Sequence, residues 1–316
     1  MRLLIQFFVC IIFASSACGQ KNLPHIVFVI GDEEYRSEES MPMLAQILKR
    51  ELGAKISLCY PLDDKGLVNP NINNNISGLE ALQHADMMVL FCRWRELPTD
   101  QAKYITDFAE SGKPMAGFRT STHTFKYNTD TSMFYLNNEW PTKVFGQKWI
   151  THHGHFDDGQ RTLTSVYPQK GAKSTPIMNG VKSFEAYSWL YHVDGGEQKL
   201  NPDCVPFLRG KSLKSSHELE GNLARFPIDQ PVAWTKPYKT KSSKTARVFF
   251  TTLGHPYDFK IESMRKMAIN GIYWALGKEK SIPKNGVNVK YVTPYEPNNS
   301  GFGERYKQGM KPLIIK

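Results

Sequence analysis

Cysteine is scarce in this chain, with five in 316 residues, and two of them, Cys10 and Cys18, precede Lys21. The other three, Cys59, Cys92 and Cys204, are an odd number without paired spacing, which excludes a disulfide framework. Cys59 and Cys92 stand in apolar runs and read as small buried thiols. No apolar run reaches the roughly 20 residues a membrane-spanning helix needs. No internal repeat is visible, so solenoid and propeller architectures are excluded. The net charge of +10 comes with no nucleic-acid-binding motif. Its densest cluster, Lys236–Lys244, lies beside Pro and Ser and reads as solvated surface. No nucleic acid partner is expected.

What is present begins with a leader. Arg2 precedes an apolar run, Leu3 to Ala14, broken only by Gln6, and then the small residues Ser15, Ser16 and Ala17. That order describes a secretory signal over residues 1–19. Cleavage after Gly19 fits the small-x-small rule; cleavage before Cys18 would leave a cysteine for lipid attachment and membrane anchoring. Either way the mature chain is expected in the periplasm or otherwise outside the cytoplasm. Losing the leader removes only Arg2 among the charges and leaves about +9. Hydrophobic residues at 41% and charged residues at 22% give ample core material for one large domain. Aromatics at 12% suit a ring-stacking ligand such as a carbohydrate as well as an ordinary core.

The run His25–Asp32 is short, apolar and ends in Gly-Asp, the pattern of a buried parallel strand opening into a loop. Ser40–Leu52 carries Met41, Leu44, Ile47 and Leu48 at helical spacing, and Gly53 closes it. Strands follow at Lys55–Tyr60, Asp86–Arg93 and Pro114–Phe118, with a short helix at Leu79–His84 and a longer one capped by Thr99 and closed by Gly112. This alternation predicts an α/β fold: a mostly parallel sheet with helices on both faces. The middle segment predicts additional short strands at Val144–His152, Arg161–Tyr167, Phe184–His192, Val205–Leu208 and Val232–Thr235. Arg247–Leu253 is a further strand and Ile261–Leu276 a helix capped by Gly277. Residues 279–316, rich in Pro, Gly, Asn and Lys, read as an extended tail laid over the body.

Ligands of open parallel sheets bind at the C-terminal ends of the strands. The residues delivered there are Asp32, Glu33, Glu34 and Tyr35; Arg93 and Trp94; Arg119 and His123; and His255 with Asp258. His153 and His155 alternate and would share a face if they lay on a strand. With His255 they are the candidates for a divalent metal. The alternative is proton transfer by imidazole without metal, and no cofactor is expected.

Arg247-Val-Phe-Phe-Thr-Thr-Leu-Gly-His-Pro-Tyr-Asp-Phe259 with Met267-Ala-Ile-Asn-Gly-Ile-Tyr-Trp-Ala-Leu-Gly277 resembles the terminal signature of the ThuA-like, trehalose-utilisation family. Pro231-Val-Ala-Trp234, Gly117-Phe-Arg-Thr-Ser-Thr-His123 and His152-His-Gly154 resemble it in order and spacing, and the likeness spans residues 25–278. The resemblance implies a ThuA-like domain over 20–278 with a flavodoxin-like, class I glutamine amidotransferase-like fold. In amidotransferases a cysteine sits at a sharp turn after a strand, in Gly-x-Cys-x-Gly. Here Arg119 occupies that position, and a guanidinium cannot attack an amide carbon. The resemblance implies sugar or keto-sugar chemistry by hydrolysis, isomerisation or elimination. Arg119 would fix a substrate oxygen, and His123, His153 or His255 would move protons. Asp32, Glu33, Glu34, Tyr35, Arg93, Trp94 and Asp258 would hold the small-molecule carbohydrate, or Asp32, Glu33 or Glu34 would act as base. A non-catalytic sugar-binding module and a residual amidotransferase-like hydrolase are the alternatives.

Overall fold

A computed structural model of the chain describes residues 23–316 except Lys173; the expected leader and Cys18 lie outside the described residues. Five strands run parallel: β1 (His25–Gly31), β2 (Lys55–Cys59), β3 (Met87–Cys92), β4 (Met115–Phe118) and β9 (Thr245–Thr251). Their order is β2-β1-β3-β4-β9, the flavodoxin-like order with its switch point between β1 and β3. Beyond β9 the sheet continues antiparallel through β8 (Asp229–Lys239), β7 (Val205–Ser212), β5 (Thr164–Pro168) and β6 (Phe184–Ala186), nine strands among the described residues.

The apolar runs of β1 and β3 are buried at every position, as strands covered on both faces must be. Alternate residues serve opposite faces. Ile26, Phe28 and Ile30 pack with α1 (Ser37–Leu52) and α5 (Glu262–Ala275). Val27 and Val29 pack with α2 (Thr99–Glu110) and α3 (Tyr135–Phe145). Gly53 closes α1 at φ 67°, its N–H bonding the Lys49 carbonyl, the left-handed cap that glycine favours. No helix among the described residues is long and apolar enough to cross a membrane.

Three local expectations are corrected. Val144 and Phe145 end α3, and 146–152 is irregular apart from a bridge between His152 and Tyr191. Leu136, Trp140 and Val144 are buried four residues apart, so helical burial wins there. Phe184–His192 is a strand only to Ala186, because the next two amides, of Tyr187 and Ser188, bond the Asp258 carboxylate. Thr99 is the first residue of α2 and makes no side-chain cap. The tail after Ile282 is irregular, and it buries Val287, Val289 and Tyr295 against the α1–α5 face.

Candidate active site

The C-terminal ends of β1, β3, β4 and β9 bring most of the sequence-selected residues to one edge. The turn after β4 is where the resemblance placed the amidotransferase nucleophile. Arg119 takes φ 40°, a left-handed conformation unusual for a residue with a Cβ, at the start of the short helix Arg119–His123. Its guanidinium points inward and is 0% exposed. It donates to the carbonyls of Thr252 at 3.0 Å and Trp189 at 3.3 Å and to the Tyr35 hydroxyl at 2.9 Å. It also lies over the rings of Tyr35 and Tyr191 at 4.1 and 4.5 Å. None of these partners is a carboxylate, so its charge is not neutralised by direct contact. Expected to fix a substrate oxygen, Arg119 is covered, and it acts on the site through its field.

Two of the carboxylates expected to bind substrate are anchors. Asp32 accepts the N–H groups of Glu34 and Tyr35 at 2.7 Å each, and the Thr120 hydroxyl. Asp258, wholly buried, accepts from the amides of Tyr187, Ser188, Gly254 and His255 and from the Ser188 hydroxyl. These bonds fold the loop carrying Glu33 and Glu34 and tie the end of β9 to residues 187–188.

Glu33 is spent on Arg93 and Arg95. Arg93 also meets Glu34, Nε to Oε2 at 3.1 Å, and stacks over Trp94 at 3.5 Å. Burial pushes the Glu34 carboxyl up to about 7 against the pull of Arg93, while its side chain stays 10% exposed. A group so placed is protonated at mildly acid pH and able to donate.

His123 packs among Trp94, Trp149 and Tyr191, with ring centroids 5.8, 5.4 and 6.3 Å away. Burial, then the charges of Arg93 and Arg119, hold it well below the usual imidazole range, so it is neutral. Its Nδ1 lies 3.3 Å from the Thr122 hydroxyl, while the Ser121 hydroxyl bonds the carbonyls of Leu90 and Phe118. His255 has both nitrogens engaged. Nδ1 accepts the Tyr257 N–H at 3.1 Å, which leaves the proton on Nε2, 3.2 Å from Asp158 Oδ1.

Asp158 is the residue that sequence reasoning missed. It belongs to an irregular loop without periodicity, and the only signal was the pair Asp157-Asp158 between a histidine-rich stretch and Gly159. Burial works to raise its carboxyl, but hydrogen bonds from His255 and Ser300, with the charge of Arg119, outweigh it and hold it below its usual range. Its side chain is 23% exposed.

His153 does not join this group. With no strand there, it turns away from His155: its Nδ1 meets the Ser215 hydroxyl at 2.7 Å, and its ring faces His217 at 5.2 Å. His155 instead lies 4.3 Å from His152 and 4.9 Å from Trp189, between ring centroids. Among the described residues no group of three or more His, Cys, Asp or Glu is arranged to hold a metal ion. The candidate set of His153, His155 and His255 is therefore dispersed. Cys92 and Cys204 are buried thiols, raised by burial, Cys204 to about 12, and neither is poised as a thiolate.

The chain thus has a flavodoxin-like parallel sheet with a left-handed residue, Arg119, at the turn after its fourth strand, and no cysteine on that turn. The model of the ThuA family, described as trehalose utilisation, matches residues 28–275, and the chain belongs to that family. Two solved structures share the fold, both described as ThuA-like proteins. The one from Parabacteroides merdae has a TM-score of 0.52 at 14% identity, covering 90% of this chain and 99% of that one. The one from Bacteroides uniformis has a TM-score of 0.52 at 14% identity, covering 81% and 92%. At that identity the likeness is one of fold. No curated protein matches the chain in sequence.

Proposed function

We propose that this protein is an exported enzyme performing acid–base chemistry on a sugar or keto-sugar, with Glu34 as proton donor and Asp158 as proton acceptor. The observation that carries the proposal is the placement of both residues at this sheet edge, tied to consecutive tail residues, the Glu34 carbonyl by the Gly301 N–H and the Asp158 carboxylate by the Ser300 hydroxyl, with the nearly covered Glu34 carboxyl raised by burial and the more open Asp158 carboxyl lowered by its donors. Pairs whose surroundings drive their proton affinities apart are how acid and base roles are divided. Arg119, buried and without a carboxylate against it, favours negative charge developing near it, as preorganised positive groups do. Trp149, partly exposed, offers a flat face for the C–H side of a sugar ring. The description of the family as trehalose utilisation agrees with a sugar substrate.

Hydrolysis, isomerisation and elimination each need one group to give a proton and one to take it, and the pair serves any of them. The test is turnover of a panel of disaccharides and their keto forms by wild type, Glu34→Gln and Asp158→Asn. Each substitution is expected to lower kcat about 100- to 10,000-fold while the folded state persists. A second reading, a sugar-binding module without turnover, is favoured by the complete burial of Arg119 and the double engagement of His255. Saturable sugar binding by a wild-type protein that converts none of the panel would decide for it.

A further inference from the structure

The tail lies outside the residues matched to the family, yet three consecutive tail residues reach three parts of the edge. Ser300 Oγ donates to Asp158 Oδ2 at 2.5 Å, and the neighbouring Asn299 amide donates to the Asp158 carbonyl at 3.1 Å. The Gly301 N–H donates to the Glu34 carbonyl at 2.8 Å, and Arg36 donates back to the Gly301 carbonyl at 2.8 Å. Phe302, 54% exposed, has its ring centroid 4.9 Å from the Arg93 guanidinium. Two glycines permit the approach. Gly301 takes φ 126°, and Gly159 takes φ 67° where a Cβ would fall 2.2 Å from Asn299 Oδ1. On both sides of these residues the strap is pinned to α1: upstream the Asn298 N–H bonds Glu39, and downstream Lys307 pairs with the same carboxylate.

We infer that the C-terminal tail is a working part of the site, with Ser300 as the positioning residue that orients the Asp158 carboxylate. Asp158 is held at both oxygens, Oδ1 by His255 and Oδ2 by Ser300, and it remains partly open to solvent. Two fixed donors set the plane of the carboxylate and favour its ionised form. A single donor would leave it free to rotate about its Cβ–Cγ bond. The inference rests on the reading of Asp158 as proton acceptor, but its test does not need turnover.

The test is a carboxyl-carbon NMR titration of Asp158 in the full chain, in wild type, Ser300→Ala, Ser300→Thr and Phe302→Ala. Ser300 lowers the proton affinity of Asp158, so Ser300→Ala should move the Asp158 midpoint to higher pH, and Ser300→Thr should restore it. Phe302→Ala disturbs the same strap without removing that bond and should leave the midpoint in place. An Asp158 midpoint identical in wild type and Ser300→Ala overturns the inference, whatever the enzyme turns over. So does a shift of equal size in Phe302→Ala, because the effect would then be general loosening of the tail. Intact titration behaviour in a protein without turnover would instead count against the acid–base reading alone.

Discussion

Replacing Asp258 by alanine should destabilise the fold severely, and the amount can be worked from its partners. The carboxylate accepts from four buried amides and one hydroxyl: Tyr187 at 2.6 Å, Ser188 at 3.2 Å, Gly254 and His255 at 3.1 Å each, and Ser188 Oγ at 2.5 Å. Truncation does not strand all of them. The amides of Gly254 and His255 also reach Ser188 Oγ at 3.0 Å and keep that acceptor. The amides of Tyr187 and Ser188 lose theirs. A buried N–H without a partner costs roughly 1–3 kcal/mol, so two cost about 2–6. The lost charge-assisted bonds put the expectation in the upper half of that range, around 4 kcal/mol. Asp258→Asn keeps one oxygen for Tyr187 and Ser188 but turns an NH2 group towards the other donors, so it should fall between wild type and alanine. Urea unfolding, followed by tryptophan fluorescence and compared at equal m-value, measures the difference. A loss under about 1 kcal/mol for Asp258→Ala would refute the reasoning and return Asp258 to the list of ligand-binding groups.

Glu38 is fully buried beside Arg36, with neither carboxyl oxygen hydrogen-bonded, and burial pushes it up to about 8 from 4.5. The stability associated with that raised value is fully present below pH 4.5 and is lost as pH rises through about 8. Glu38→Gln should therefore gain stability relative to wild type by a few kcal/mol between pH 5 and pH 9; thermal melts showing a constant difference across that range would contradict this. Export is checked by mass spectrometry of protein isolated from its native host, which should find a chain beginning at Cys18 or Gln20. Finding residues 2–17 still attached would exclude the leader.

The parallel half of the fold was legible because strands buried on both faces leave unbroken apolar runs, as His25–Gly31 and Met87–Cys92 do. α3 was not, since Asn137, Asn138, Glu139 and Pro141 mask the spacing of Leu136, Trp140 and Val144. The edge itself was legible from the residues that follow each parallel strand, and Glu33, Glu34, Arg93, Arg119, His123 and His255 do lie there. Their roles were not, because a sequence displays residue types and not the donors around them. Asp32 and Asp258 look like ligand-binding carboxylates until the backbone amides that occupy them are known. His255 looks like a proton carrier until Tyr257 and Asp158 claim both nitrogens. Asp158 and Ser300 come from irregular segments far apart in the chain, and only the folded tail joins them.

The central claim is that Glu34 and Asp158 hold protons in opposite senses at one sheet edge. It is tested most directly by titrating both carboxyl carbons by NMR in the wild-type protein without ligand, with Glu34→Gln and Asp158→Asn to assign the signals. The account predicts that Glu34 titrates at about 7 and that Asp158 titrates below the ordinary aspartate value of 3.8. Two carboxyls titrating together in the ordinary acid range would contradict it.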